Sequence, residues 1–358
     1  MINVTKPYLP DRKKLEGYID LIYNTARMAN NGPLVRDLTD RLEEYLNVEN
    51  LLLVANGTLA LQIAYRTFGI KGRAITTPFS FVATASSLMW EGITPIFSDI
   101  DSQSFCIDPQ KIRTNITSET TCIVPVHVFG NPCDMQKIEQ LVHNSNLKVI
   151  YDGAHAFGVK YRRKSIYSFG DAVTLSFHAT KLFHTVEGGA IVFKNREDCE
   201  KAKLMVNFGI SKPDTIEKLG INAKMNEFQA AMGLCVLDEI ETIMEKRQFL
   251  WNRYDERLKN YFQLQKRNPE ATNNYSYFPI LFEDEKSLLC AKRELNNNDI
   301  NPRRYFYPSL DTLAFLSSPN NMAISRDISK RILCIPIYPD LSTDDQDKVI
   351  KILLEQHK

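Results

Sequence analysis

No stretch of this 358-residue sequence approaches the roughly 18 consecutive apolar residues that a membrane-crossing helix requires. The N-terminal MINVTKPYLPDRKK has no apolar core of the secretory type. The chain therefore reads as cytoplasmic, with no membrane partner. Charge of one sign is missing too: 44 Lys and Arg face 43 Asp and Glu, so no global positive field exists to hold a nucleic acid, and any phosphate site has to be local. The seven cysteines (Cys106, Cys122, Cys133, Cys199, Cys235, Cys290, Cys334) are odd in number, far apart and without a CxxC pair. That excludes a disulfide framework or zinc ribbon and leaves them as small buried apolar residues. His127, His155, His178, His184 and Asp152 match no usual zinc spacing, so no metal is expected. No GxGxxG follows the first β-rich run, which removes support for a dinucleotide site.

What is present is a regular succession of apolar runs. LLLVA (51–55), AITT (74–77), TPIFS (94–98), CIVPV (122–126), KVIYD (148–152), AVTLSF (172–177) and GAIVFK (189–194) all precede residue 200. Several lack strict alternation, as strands covered on both faces by helices do. TLALQIAYRTF and DMQKIEQLVHN carry apolar residues at helical spacing between them. From Asn226, NEFQAAMGLCVLDEIETIMEKRQFLWNRYDERL reads as one long helix leaving the first unit. Beyond it YSYFPILF (275–282) and ILCIPIYP (332–339) read as strands, with KSLLCAKRELNN and TDDQDKVIKILLEQ as helices. The expectation is an α/β fold: a large domain over 1–240 with a seven-stranded, mostly parallel sheet, and a smaller α+β domain over 241–358.

Three segments carry chemistry. In LLLVANGTLALQIAY, Gly57 and Thr58 open a helix whose free N–H groups suit a phosphate, although in isolation an ordinary turn and N-cap is the better explanation of the segment. In YDGAHAFG, Asp152 ends a strand where open α/β sheets bind ligands, and His155 follows three residues on. An N-cap aspartate and a satisfied core histidine are the plain alternatives. In LSFHATKLFHTVEGGAIVFK an apolar strand leads past Ser176 and His178 to Lys181. A lysine held beside apolar surface has a lowered pKa and a nucleophilic amine, whereas most lysines are solvated.

These segments, in this order with NNGPLVRDLTDRLEEYL, TTPFSFVATASSLMWEGITPIFSDID, PVHVFGNPCDM, GINAKMNEFQAAMG and IPIYPDLSTDDQ, resemble the sugar-nucleotide aminotransferases of the DegT/DnrJ family over nearly the whole chain. Those are fold-type I pyridoxal-phosphate (PLP) enzymes. The resemblance implies that Lys181 carries PLP as a Schiff base, with pyridoxamine phosphate as the alternate form. It further implies that Ser176, Gly57 and Thr58 hold the phosphate, Asp152 pairs with the pyridine nitrogen, His155 faces the ring and Phe81 stacks on it. Asn222 matches an asparagine that family members extend to the neighbouring subunit's cofactor, implying a homodimer with shared active sites. Val186 stands where many relatives have glycine before EGG, and a small change of turn shape is expected there. Lys181 argues against the dehydratase branch, which has histidine at that place.

The segment INPRRYFYPSLDTL most resembles enzymes that aminate dTDP-4-dehydro-6-deoxy-D-glucose with L-glutamate to give dTDP-4-amino-4,6-dideoxy-D-glucose and 2-oxoglutarate, for O-antigen or other polysaccharide sugars. Arg303 and Arg304 would then meet the pyrophosphate, and Tyr305 or Tyr307 the sugar or base. A surface basic pair with core aromatics fits those residues equally well. Amination of a 3-keto isomer, axial amination at carbon 4, and a PLP-binding regulator without turnover stay open.

Overall fold

The computed structural model describes residues 1–316 and 321–356. Each of the seven apolar runs before residue 200 forms a strand: β1 (Leu51–Val54), β2 (Arg73–Thr76), β3 (Thr94–Phe97), β4 (Thr120–Val124), β5 (Lys148–Asp152), β6 (Ala172–Ser176) and β7 (Gly189–Phe193). They make one sheet in the order β1-β7-β6-β5-β4-β2-β3. β2 is parallel to β3 and β4, β4 to β5, and β5 to β6. β7 is antiparallel to both β1 and β6. Only β7 runs against the rest, so the carboxyl ends of β1, β5 and β6 open on one edge of the sheet, the edge where such sheets bind ligands.

The helix α1 (Gly57–Thr67) starts there because Asn56 leaves the strand in an extended conformation and its Oδ1 accepts from the Leu59 amide at 2.9 Å. Gly57 is required at this point: a Cβ on it would lie 2.8 Å from Ser176 Cβ, so only glycine lets the start of α1 close on the end of β6. The helix α2 (Ala83–Trp90) follows β2 and brings Thr84 to the same edge.

The segment from Asn226 is two helices, α3 (Glu227–Asp238) and α4 (Ile240–Leu258), separated at Glu239 (φ −110°, ψ 9°). The break has a packing cause. α3 is buried on nearly every side, with Ala230, Ala231, Leu234 and Val236 in the large core, whereas the second half of α4 turns Leu250, Tyr254 and Leu258 into a separate apolar cluster. One straight helix cannot face both. Glu239 also ties the bend to the N-terminal segment through the Tyr8 hydroxyl.

The strands expected beyond 270 are shorter than their apolar runs. β9 covers only Pro279–Leu281 and β10 only Ile332–Cys334, forming with β8 (Gln263–Leu264) an antiparallel sheet in the order β8-β9-β10. Tyr275 has a positive φ of 55°, which bends the chain out of extended geometry before β9, and only Phe278 of the preceding residues keeps a cross-strand bond, its carbonyl accepting from the Ile335 amide at 3.2 Å. The smaller cluster also contains Ile2, because Ile2–Asn3 pairs in parallel with Ile300–Asn301. Six of the cysteines are buried, and Cys290 is exposed.

Candidate active site

At the carboxyl edge of the sheet lies a cavity of about 800 Å³. Gly57, Thr58, Phe81, Asp152, His155, Ser176 and Lys181 all line it. Gly57 and Thr58 contribute the first turn of α1, whose leading amides have no intrahelical acceptor and carry the positive end of the helix dipole. Ser176 closes the other side of that turn.

Asp152 is buried at the end of β5. Its Oδ2 accepts from the Thr84 hydroxyl at 2.7 Å and its Oδ1 from the Ala154 amide at 3.0 Å. Thr84 and Ser80 oxygens are 2.8 Å apart; since the Thr84 proton goes to the carboxylate, Ser80 is the donor to Thr84. Burial raises the Asp152 pKa, opposed by the Thr84 and Ala154 hydrogen bonds and by the charge of Lys181.

Lys181 follows β6 through a turn closed by its amide on the His178 carbonyl at 2.9 Å. Its amine faces the cavity, and removal from water brings its pKa down from 10.5 to about 8, with Asp152 pulling the other way. Nζ lies 3.5 Å from the Tyr277 hydroxyl. His155 is buried with its ring parallel to Phe129 (centroids 6.2 Å apart) and Phe306 (5.5 Å). Its Nδ1 accepts from the Phe129 amide at 3.3 Å. Burial, then the nearby lysine, hold its pKa well below 6.5, so the ring is neutral. Phe81, 51% exposed, stands at the mouth.

The structure divides the remaining expected residues. Arg303 and Tyr305 line the cavity, with the guanidinium 4.8 Å from the Tyr305 ring centre, and Arg303 has no ion pair among the described residues. Arg304 and Tyr307 are not in the lining. Arg304 donates to Glu285 Oε1 at 2.6 Å and to the Lys330 carbonyl at 3.0 Å, and stacks 3.5 Å from the Tyr307 ring centre. Both are engaged in these local contacts, away from the cavity that Arg303 and Tyr305 line. Asn222 is exposed on the outer surface, bridged to Asn207 and outside this cavity. Val186 adopts φ 68°, a left-handed conformation unusual for a β-branched residue, so the turn before Glu187 holds its left-handed residue without glycine.

Sequence reasoning passed over Thr84, Ser80, Tyr277 and Phe306. Thr84 and Ser80 sit in a run of small polar residues with no spacing signal, and Tyr277 lies in a stretch whose apolar character reads only as strand.

A buried carboxylate, a lysine amine poised near neutrality and an anion-ready helix start, in one cavity, is a constellation for amine chemistry on a phosphorylated group. The model of the DegT/DnrJ/EryC1/StrS aminotransferase family matches residues 11–354. The chain belongs to this family. A dTDP-4-amino-4,6-dideoxy-D-glucose transaminase of Shigella dysenteriae is 41% identical to it, covering 99% of this chain and 98% of the relative. The enzyme of the same name from Escherichia coli is 37% identical, with the same coverages. Among solved structures, DesI in the presence of its TDP-sugar product matches with a TM-score of 0.94 and 27% identity, covering 100% of this chain and 93% of that one. Family membership makes the protein an aminotransferase, and the mostly parallel seven-stranded sheet is the fold its solved relatives share.

Proposed function

We propose that this aminotransferase moves the amino group of L-glutamate to carbon 4 of dTDP-4-dehydro-6-deoxy-D-glucose, giving dTDP-4-amino-4,6-dideoxy-D-glucose and 2-oxoglutarate, with PLP held at Lys181. The observation that carries the reading is the shared cavity of Lys181 and Asp152 in a chain 41% identical, over 99% of its length, to an enzyme of that name. The residues fit PLP. A buried carboxylate is placed to pair with a protonated ring nitrogen, the close approach of Gly57 to Ser176 leaves the amides of the α1 start and two hydroxyls for a phosphate, and a primary amine stands in the same cavity. When bound, PLP supplies an electron sink that acidifies the carbon bearing the donor's amino group. Asp152 keeps the ring nitrogen charged. Lys181 Nζ, near neutrality, takes the donor's proton and returns one on the product side. His155 and Phe81 confine the ring, and Arg303 with Tyr305 receives the pyrophosphate and sugar.

The reading extends to a homodimer. Asn222 lies beside exposed Phe208, Ile216, Leu219 and Ile221, an apolar surface of the kind that marks an interface. It would reach the partner's cofactor phosphate. No described helix is long and apolar enough to cross a membrane.

The test is incubation of the purified protein with PLP, L-glutamate and the 4-keto sugar nucleotide, with proton NMR of the product. An equatorial amine at carbon 4, abolished by Lys181→Ala, is expected. Amination only of a 3-keto isomer, or an axial amine, would replace the substrate assignment. Absence of 2-oxoglutarate with every keto sugar would make the chain a PLP-binding regulator.

A further inference from the structure

Lys181 Nζ has a single side-chain hydrogen-bond partner among the described residues, the Tyr277 hydroxyl at 3.5 Å. Tyr277 comes from the far side of the chain, in the segment that leaves extended geometry before β9. Three ties fix that segment. Asn274 Nδ2 donates to the carbonyls of His155 (2.8 Å) and Phe157 (3.1 Å). Buried Arg247 donates through Nη1 to the carbonyls of Tyr275, Ser276 and Ile337, each at 3.3 Å. Trp251 Nε1 donates to the Tyr277 carbonyl at 3.2 Å. The ring is walled in by His155, Phe129 and Tyr305, with centroids at 4.8, 5.5 and 5.8 Å. Arg247 has no carboxylate partner among the described residues, a costly state for a buried arginine, and here it secures the backbone under one phenol. So much fixing for one residue points beyond core filling.

We propose that Tyr277 is the positioning residue for the Lys181 amine, its hydroxyl holding Nζ against the cavity wall whenever that nitrogen is not covalently engaged. The inference rests on the assignment of Lys181 as the working amine. Between turnover stages a freed lysine has many rotamers to explore, and loss of aim by about 1 Å costs up to ~10²-fold in rate. Tyr277 restricts that search. Burial raises the phenol's pKa, as does Cys334, while Arg247 and Arg303 oppose, so it stays protonated. It accepts from an ammonium and donates to a neutral amine, and so serves Nζ in both states.

Besides Tyr277, the titratable groups facing Nζ are the Asp152 carboxylate and the neutral His155. Because a hydrogen bond to the ammonium is the stronger one, loss of the hydroxyl favours the neutral amine. The test is Tyr277→Phe, which keeps the ring. In the PLP-free protein, the pH dependence of Lys181 acylation, read by peptide mass spectrometry, reports the amine directly; its midpoint falls below that of wild type. In the loaded enzyme kcat falls ~10-fold or more, KM for both substrates stays within about twofold, and the isotope effect with α-deuterated glutamate rises. An unchanged midpoint with unchanged kcat overturns the proposal. A loss of folding, seen as a lower melting temperature with KM and kcat altered together, overturns it also, because the residue is then structural. Turnover retained in Lys181→Ala would instead defeat the underlying assignment.

Discussion

Replacing Thr84 with valine removes one hydroxyl and almost no volume, and the surroundings of that hydroxyl set the size of the effect. It donates to buried Asp152 Oδ2 at 2.7 Å, and a hydrogen bond to an ionised group contributes about 1.5–3 kcal/mol. The folded Asp152 pKa already stands above 3.8, burial outweighing the Thr84 and Ala154 bonds and Lys181. A carboxyl whose folded pKa is raised binds an extra proton in the folded state. Its cost to stability is absent below the unfolded value near 3.8 and complete once pH exceeds the folded value. Losing Thr84 raises the folded value further. The deficit of Thr84→Val relative to wild type is therefore small in acid and about 1.5–3 kcal/mol at neutral pH. For a chain of 358 residues the unfolding entropy is roughly 0.75 kcal/mol/K, so the melting temperature falls by about 2–4 °C at pH 8 and by less at pH 4.5. Calorimetry of the PLP-free protein at both pH values measures this. An equal deficit at the two, or none at pH 8, would refute the account of Asp152 as a buried carboxylate held by Thr84.

Three further outcomes can be measured. Asp152→Asn retains PLP, followed by reduction and peptide mass, but transaminates about 10²-fold more slowly, since a neutral amide cannot keep the ring nitrogen charged; near-normal rates would contradict that role. Arg303→Gln raises KM for the nucleotide sugar ~10- to 100-fold with little change in kcat, whereas Arg304→Gln, which breaks the Glu285 pair, lowers the melting temperature and leaves KM alone; the reverse pattern would exchange their roles. Capture of PLP by the PLP-free enzyme accelerates as pH rises and levels off above about 8, where the Lys181 amine is neutral. At pH 7 that value leaves about 10% of the amine neutral, against about 0.03% for an ordinary lysine, and a midpoint near 10 would show the amine to be solvated.

The seven strands of the large sheet were legible from the sequence because strands covered on both faces must be apolar, and β1 to β7 all formed where apolar runs stood. Segment order carried the family, and with it the expectations for Asp152, Ser176, Gly57 and Thr58, each at a strand end or helix start, and for Lys181 in the turn after β6. Tertiary packing decided the rest. The bend at Glu239 exists because one helix has to feed two cores, a demand that 3.6-residue periodicity does not encode. Arg303 and Arg304 are neighbours of one residue type, yet one faces the cavity and the other is spent on Glu285, because backbone direction and a distant carboxylate set each side chain's partner. Thr84, unmarked within a longer family segment, and Tyr277, outside the family segments, reach the site through contacts with residues 68 and 96 positions away in sequence. Apolar pattern and motif order are local quantities that a sequence holds by itself, whereas the partner of a hydroxyl or a guanidinium is fixed only when remote segments are brought within about 3 Å of each other.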